Sequence, residues 1–253
     1  MINKSFPEEY PITLYVNKQE LLTAQLTEVD LKDWAIGYLY AEGLIDFPEE
    51  VLNIYIEPYR GNVVVELSKT TAEVQAFLKK KRILTAGCGR GVTFRTLKEV
   101  GLFKKVKATR RFPLTFIQQK MREFGKSTPL YIKTGGMHAA AVIEPDGNLI
   151  VREDIGRHNA VDKAIGAALK KGLRGEELAL ITTGRISFEM CSKVARFGVG
   201  LAASKTAATN LAIALAKELS IDLVGYCRGR DALVYTPGHN LLKDAKKHVY
   251  GFS

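Results

Sequence analysis

Cysteine is scarce: Cys88, Cys191 and Cys227 are the three in 253 residues. So odd and sparse a set excludes a secreted disulfide framework and fits a reducing cytoplasm. No run approaches the roughly 20 apolar residues that span a bilayer. The opening MINKSFPEEYPITLYV lacks a charged region followed by an apolar one, so no secretory signal is expected. Zinc-finger and helix-turn-helix signatures are missing, which leaves nucleic-acid binding resting on charge alone. Internal repeats and low-complexity stretches are also missing.

What is present bounds the chain further. Hydrophobic residues make up 46% and charged residues 25%, enough for a sizeable packed core. The length suits one large domain or two small ones. The net charge of +10, from 37 basic and 27 acidic residues, favours anionic partners.

Patterning divides the chain near residue 111. The first part, 1–111, reads as a small α+β unit. YPITLYVN and NVVVELSK have strand character. Asp30 to Gly43 has an apolar helical face carrying Trp34, Ala35, Tyr38, Leu39 and Ala41, with Gly43 as a stop. The spacing predicts a second helix over 70–81. From 112 to 253 the pattern changes. LTFIQQKMREFG is an amphipathic helix. HAAAVIEP and NLIVRED are strands joined by the hairpin signal Asp146-Gly147. Then HNAVDKAIGAALKKG, ISFEMCSKVARFG and TAATNLAIALAKEL predict helices that alternate with the strands LALITTG, VGLAASK, DLVGYCRG and ALVYT. This series implies an α/β domain with a mixed sheet and helices on both faces.

In such a sheet the turns entering helices attract anions, because free N–H groups and positive dipole ends lie there. The three turns EDIGRHNA, TTGRISFE and SKTAAT offer Asp154, Arg157, His158, Asn159, Arg185, Ser187, Glu189, Lys205 and Thr206. Asn159, Ser187 and Thr206 also suit plain helix capping. The order of elements matches the zinc-dependent nucleoside deaminases, which open one helix with H-x-E and the next with P-C-x-x-C. Here His158-Asn159-Ala160 has alanine at the glutamate position, and no cysteine pair follows. One histidine falls short of the three or four ligands zinc needs, so no metal site is expected.

The stretch Thr85-Ala86-Gly87-Cys88-Gly89-Arg90-Gly91 raises a different chemistry. Its glycines make a pliable loop that displays a thiol. Arg90 favours the thiolate, and KKKR at 79–82, with KKVK and TRR within 104–111, adds basic flanks. Cys191, on a helix, and Cys227, in a strand pattern, read as small core residues. His138 fits either a pocket edge or a hydrogen-bonded structural role. His239 and His248 sit in a polar tail.

TGGMHAAAV at 134–142, EDIGRHNAVDKAIG at 153–166, GRISFEMCSKVAR at 184–196 and LVGYCRG at 223–229 leading into VYT resemble the FdhD family of formate dehydrogenase accessory proteins. IGYLYAEGLI at 36–45 extends the resemblance over nearly the whole chain. It implies a sulfur carrier. A cysteine desulfurase would load sulfur onto Cys88 as a persulfide. The carrier would pass it to the bis(molybdopterin guanine dinucleotide) cofactor before insertion into formate dehydrogenase. It also implies a cytidine-deaminase-like three-layer sandwich beside the smaller N-terminal α+β domain, a cytoplasmic location and a homodimer. The cofactor is transient cargo, and a GDP-like nucleotide would occupy the same site. The cofactor-binding set is then Arg157, His158, Arg185, Ser187, Lys205 and Thr206, joined by Tyr226, Cys227, Arg228, Gly229, Arg230 and Asp231. The reading implies no zinc, no membrane and no nucleic acid. Three departures stand out. The family's loop reads C-G-x-C-G, and Gly91 stands where the second cysteine would be. The family's S-A-P-T loses its proline at Thr206-Ala207-Ala208-Thr209, and Asp231 enters its arginine-glycine stretch. A chaperone that holds the cofactor without sulfur transfer is the alternative.

Overall fold

The computed structural model describes residues 5–77 and 104–242. Cys88, its neighbours Arg90 and Gly91, the KKKR run and His248 lie outside the described residues, as does the end of the helix expected over 70–81. Residues 71–77 of that helix are helical.

The N-terminal unit is a four-stranded sheet in the order β2-β1-β4-β3. Its strands are β1 (Tyr10–Val16), β2 (Gln19–Leu26), β3 (Val51–Glu57) and β4 (Asn62–Leu67). β1 and β4 run parallel, and the outer pairs are antiparallel. Alternation turns Ile12, Leu14, Val16, Val63 and Val65 inward. They meet helix α1 (Leu31–Glu42), whose Trp34, Ala35 and Leu39 are fully buried. As expected, Gly43 ends α1: it takes a left-handed φ of 83° and donates to the Leu39 and Tyr40 carbonyls.

The second sheet has six strands in the order β11-β10-β9-β8-β6-β7. These are β6 (His138–Ile143), β7 (Leu149–Asp154), β8 (Ala179–Thr182), β9 (Leu201–Ser204), β10 (Asp222–Arg228) and β11 (Asp231–Val234). β6 and β7 form the hairpin read from Asp146-Gly147, with Gly147 at φ 90°. β8, β9 and β10 are parallel, and β6 is antiparallel to both β7 and β8. A short pair, β5 (Phe112–Pro113) with β12 (Leu241–Leu242), lies apart.

Both faces of this sheet are covered. Ala139, Ala141, Ile143, Ile181 and Ala203 pack on α2 (Leu114–Lys126) through Ile117, Met121 and Phe124. Ala140, Val142, Leu180, Ala202 and Leu223 face α4 (Arg157–Lys170), α5 (Phe188–Phe197) and α6 (Asn210–Leu219). A short helix, α3 (Pro129–Thr134), precedes β6. α1 lies against α4, so one apolar cluster runs from the N-terminal sheet to the second sheet. Gly37 and Gly166 allow that approach. A Cβ on Gly37 would fall on the Asp162 carbonyl, and one on Gly166 on the Asp33 carbonyl.

Two helices start later than their apolar spacing suggests. α5 begins at Phe188 because Ser187 caps it, accepting from the Met190 N–H. α6 begins at Asn210, not Thr206, because Thr209 is the capping residue. Thr206 instead closes a turn: its N–H donates to Ser204 Oγ at 2.9 Å.

Candidate functional site

Strand direction decides which ends meet. β7, β8, β9 and β10 point the same way, so their C-terminal ends share one edge with the first residue of β6, His138. The register sets His138 beside Asp154, and Thr182 beside Ser204. Each of β7, β8 and β9 leads through a turn into a helix, so three helix N-termini open on that edge.

Neighbouring turns are tied together. In the first, Arg157 packs over Gly184 of the second, where a Cβ would press on its side chain. His158 Nε2 lies 3.4 Å from Ser187 Oγ and 3.2 Å from Glu189 Oε2. The second turn meets the third where Ile186 bridges Ala208 and its N–H donates to the Ala207 carbonyl at 3.0 Å. Ser204 Oγ donates to the Gly184 carbonyl at 2.7 Å. The third meets β10 where the Tyr226 N–H donates to the Thr206 carbonyl at 2.9 Å and Arg228 Nε to the Lys205 carbonyl at 2.6 Å. Arg157, His158, Arg185, Ser187, Lys205, Thr206, Tyr226 and Arg228 therefore share one continuous edge of backbone, with the Lys205 ammonium turned to the α2 side, over the Phe124 ring at 5.5 Å. Gly229, Arg230 and Asp231 form the exposed tip of the β10–β11 hairpin beyond it. That tip is held from the other face: Arg122 donates to the Gly229 carbonyl and Gln118 to the Arg230 carbonyl.

The edge is positive and undercompensated. Arg157 Nε is buried with no hydrogen-bond partner among the described residues. Arg185 and Arg228 are exposed. Burial, with the nearby Arg228 charge, pushes the Lys205 ammonium pKa down. Burial and then the Arg157 charge also lower the His138 pKa, and its Nδ1 lies 3.4 Å from Thr183 Oγ1. The hydrogen bond from His158 holds the Glu189 carboxyl below its ordinary range. α4 and α6 have no acidic residue in their first turns. Gly156, not Asn159, precedes α4 as its cap and offers no side-chain oxygen. Asn159 is used elsewhere, donating to Asp154 Oδ1 and to the Gln25 carbonyl.

Tyr226 carries a positive φ of 47°, an outlier for a bulky residue, and its side chain remains exposed. Cys227 belongs to the edge only through its backbone. Its thiol is buried in the core beneath α2, and burial pushes its pKa up to about 11. Cys191 is likewise buried under α5, its pKa pushed up to about 12. Neither is an available thiolate at neutral pH. Among the described residues, no group of three or more His, Cys, Asp or Glu is placed to hold a metal. No helix among them is long and apolar enough to cross a membrane.

Comparison with known proteins places the chain in a family. The FdhD/NarQ family profile matches residues 7–242. The chain belongs to the FdhD/NarQ family. It is 37% identical over 240 residues to the sulfur carrier protein FdhD of Shouchella clausii, covering 93% of this chain and 89% of that one. The FdhD of Listeria monocytogenes is 36% identical over 237 residues, with 93% and 90% covered. The FdhD of Wolinella succinogenes is 35% identical over 230 residues, with 90% and 79% covered. A crystal structure of a formate dehydrogenase accessory protein from Desulfotalea psychrophila superposes with a TM-score of 0.76. It shares 28% identity and covers 94% of this chain and 91% of that one. The family resemblance read from EDIGRHNAVDK and its companions is thus borne out. Two residues next to the edge take no role from the sequence alone: Thr27, which lies outside every quoted motif, and Lys163, which lies inside EDIGRHNAVDK. Lys163 carried a signal, since it interrupts the apolar stripe of α4 between Ala160 and Ala164.

Proposed function

We propose that this chain is a sulfur carrier for a formate dehydrogenase. In this reading a persulfide on the donor desulfurase gives its outer sulfur to the Cys88 thiolate, and the donor leaves as its own thiolate. The Cys88 persulfide would then give its outer sulfur to the bis(molybdopterin guanine dinucleotide) cofactor, which is cargo held at the three-turn edge. The S–S bond breaks, Cys88 leaves as a thiolate, and the reduced metal centre of the cargo would supply the two electrons that turn the sulfur into sulfide. The observation that carries the reading is that three helix N-termini open on one sheet edge whose turns bear Arg157 and Arg185 and whose next strand bears Arg228, in a chain of the FdhD/NarQ family. Such an edge suits a large ligand bearing several phosphates, and a guanine nucleotide would occupy part of it. The same reading takes the helix, hairpin and alternating helix–strand order as deaminase-like without the zinc, and the protein as a cytoplasmic homodimer.

Cys88 carries the sulfur because the two other thiols are buried and held neutral. The test is intact-mass measurement after incubation with a cysteine desulfurase and cysteine. Wild-type protein gains about 32 Da as one sulfur replaces none, reversible by a thiol reductant. Cys88→Ala gains nothing and fails to support formate dehydrogenase in cells lacking the wild-type protein. Gly91, in place of a second loop cysteine, favours the alternative of a cofactor chaperone without sulfur transfer. Full support of formate dehydrogenase by Cys88→Ala would rule out sulfur carriage through Cys88 and leave that alternative standing.

A further inference from the structure

Behind the first turn of the edge lies a pair of fully buried charges. Lys163 Nζ sits 2.7 Å from Asp154 Oδ2, and neither side chain is exposed to solvent. Every donor and acceptor of the pair is used. Lys163 also donates to the Thr27 carbonyl at 2.9 Å and the Glu153 carbonyl at 3.3 Å. Asp154 accepts from the Gly156 N–H at 2.8 Å and Asn159 Nδ2 at 3.0 Å on one oxygen. On the other it accepts from the Thr27 N–H at 3.1 Å. Thr27 closes the ring, its Oγ1 accepting from the Ile155 N–H at 3.1 Å.

The partners come from two units. Thr27 follows β2 of the N-terminal sheet, and the Gln25 carbonyl there takes a further bond from Asn159 at 3.0 Å. The others belong to 153–163, the segment that presents Arg157 and His158. If holding the fold were the only requirement, a well-packed apolar pair would serve as well as a buried ion pair. A network with every group satisfied instead fixes one arrangement of its members. Here the arrangement fixed is that of the turn 155–159. We propose that Thr27 and the Asp154–Lys163 pair are positioning residues, through which the N-terminal unit sets the anion affinity of the edge. The proposal rests on the reading of that edge as a nucleotide-phosphate site. It follows from what the turn carries: the Arg157 guanidinium, packed over Gly184, and His158, which reaches Ser187 and Glu189. A shift of the turn moves both groups relative to the other two helix ends.

Thr27→Val removes one hydroxyl and keeps shape and backbone; Thr27→Ser restores the hydroxyl. Should Thr27→Val fold poorly, Thr27→Ala removes the same atom without a branched side chain. Amide exchange at Ile155 should speed up by roughly five- to tenfold without the hydroxyl, as expected for one lost hydrogen bond. GDP affinity should fall about fivefold, the lower end of ordinary site coupling, and Thr27→Ser should restore both. The His158 ring resonances should move in Thr27→Val and return in Thr27→Ser. Unchanged GDP affinity in Thr27→Val would overturn the proposal, even with faster exchange, because the contact would then only clamp the fold. If the wild-type chain binds no GDP, the nucleotide reading of the edge fails by itself. The His158 resonances then decide the positioning role, and unchanged resonances in Thr27→Val would end it.

Discussion

Asp162 and Lys193 form a second buried ion pair, one turn beyond His158 on α4. Lys193 Nζ lies 2.6 Å and 2.7 Å from the two Asp162 oxygens, and over the Tyr38 ring at 5.5 Å. Burial pushes the Asp162 pKa up to about 6, against the pull of Lys193. A carboxyl with a raised folded pKa holds its proton more tightly in the native state. The stability this gives is full below the unfolded value of 3.8 and is lost as pH rises through about 6. Lys193→Met leaves Asp162 without its counter-charge. At pH 5 the carboxyl is protonated and the variant loses mainly packing and the ring contact. At pH 8 the native state must bury a bare charge or bind a proton from dilute solution. Urea unfolding should show a loss of about 3–5 kcal/mol at pH 8 and a clearly smaller one at pH 5. Equal losses would mean that Asp162 does not titrate in this range. None of this was legible beforehand. A lysine in an amphipathic pattern reads as a solvated residue, and only the approach of α1 and α4 to α5 removes the water.

The elements themselves were mostly legible. α1 and α4–α6 show helical apolar spacing, and β6–β10 are short apolar runs bounded by turn residues. In the first sheet, two strands gave no usable pattern. QELLTAQL in β2 is made largely of helix formers, and pairing with β1 overrides that preference. The turn joining β1 to β2 uses Asn17 and Lys18, both at positive φ, without the glycine that normally marks such a hairpin. β3 depends on its partner β4 for definition. The contact of α1 with α4 was also hidden, because Gly37 and Gly166 come together only in space. Gly166→Ala should test how tightly that contact is set. Its methyl would meet the Asp33 carbonyl, which is backbone and cannot swing aside. Denaturant unfolding should show a loss of about 3 kcal/mol or more, at the upper end of overpacking costs. A near-neutral result would mean that the two helices separate easily.

Across the whole molecule, the two ends of the second sheet have opposite character. One gathers three helix N-termini and the arginines. The other holds the C-terminal ends of α4 and α5, where Lys104, Lys105 and Lys107 line a cavity of about 480 Å³ with Leu173 and Phe197. The segment carrying those lysines is fixed there by bonds from the Val106 N–H to the Leu219 carbonyl and from the Thr109 N–H to the Glu176 carbonyl. Lys104, Lys105 and Lys107 therefore do not add to the helix-entry edge, although both ends carry positive charge. That division could not be read from net charge. The convergence of the three turns could, because parallel strands bring their C-terminal ends together whatever their side chains. GDP binding separates the two ends. Arg185 is exposed at the second turn, and a charge-assisted contact from it to phosphate is worth roughly 1.5–3 kcal/mol. Arg185→Ala should therefore weaken GDP binding by about tenfold or more in calorimetry. Lys171 stands at the far end of α4, 3.1 Å from Glu144, and Lys171→Ala should bind GDP as the wild type does. The two variants differ by one positive charge each, so a general field effect would weaken both alike. Equal affinities in the two would place the nucleotide away from the helix N-termini, and a loss confined to Lys171→Ala would place it at the opposite end of the sheet.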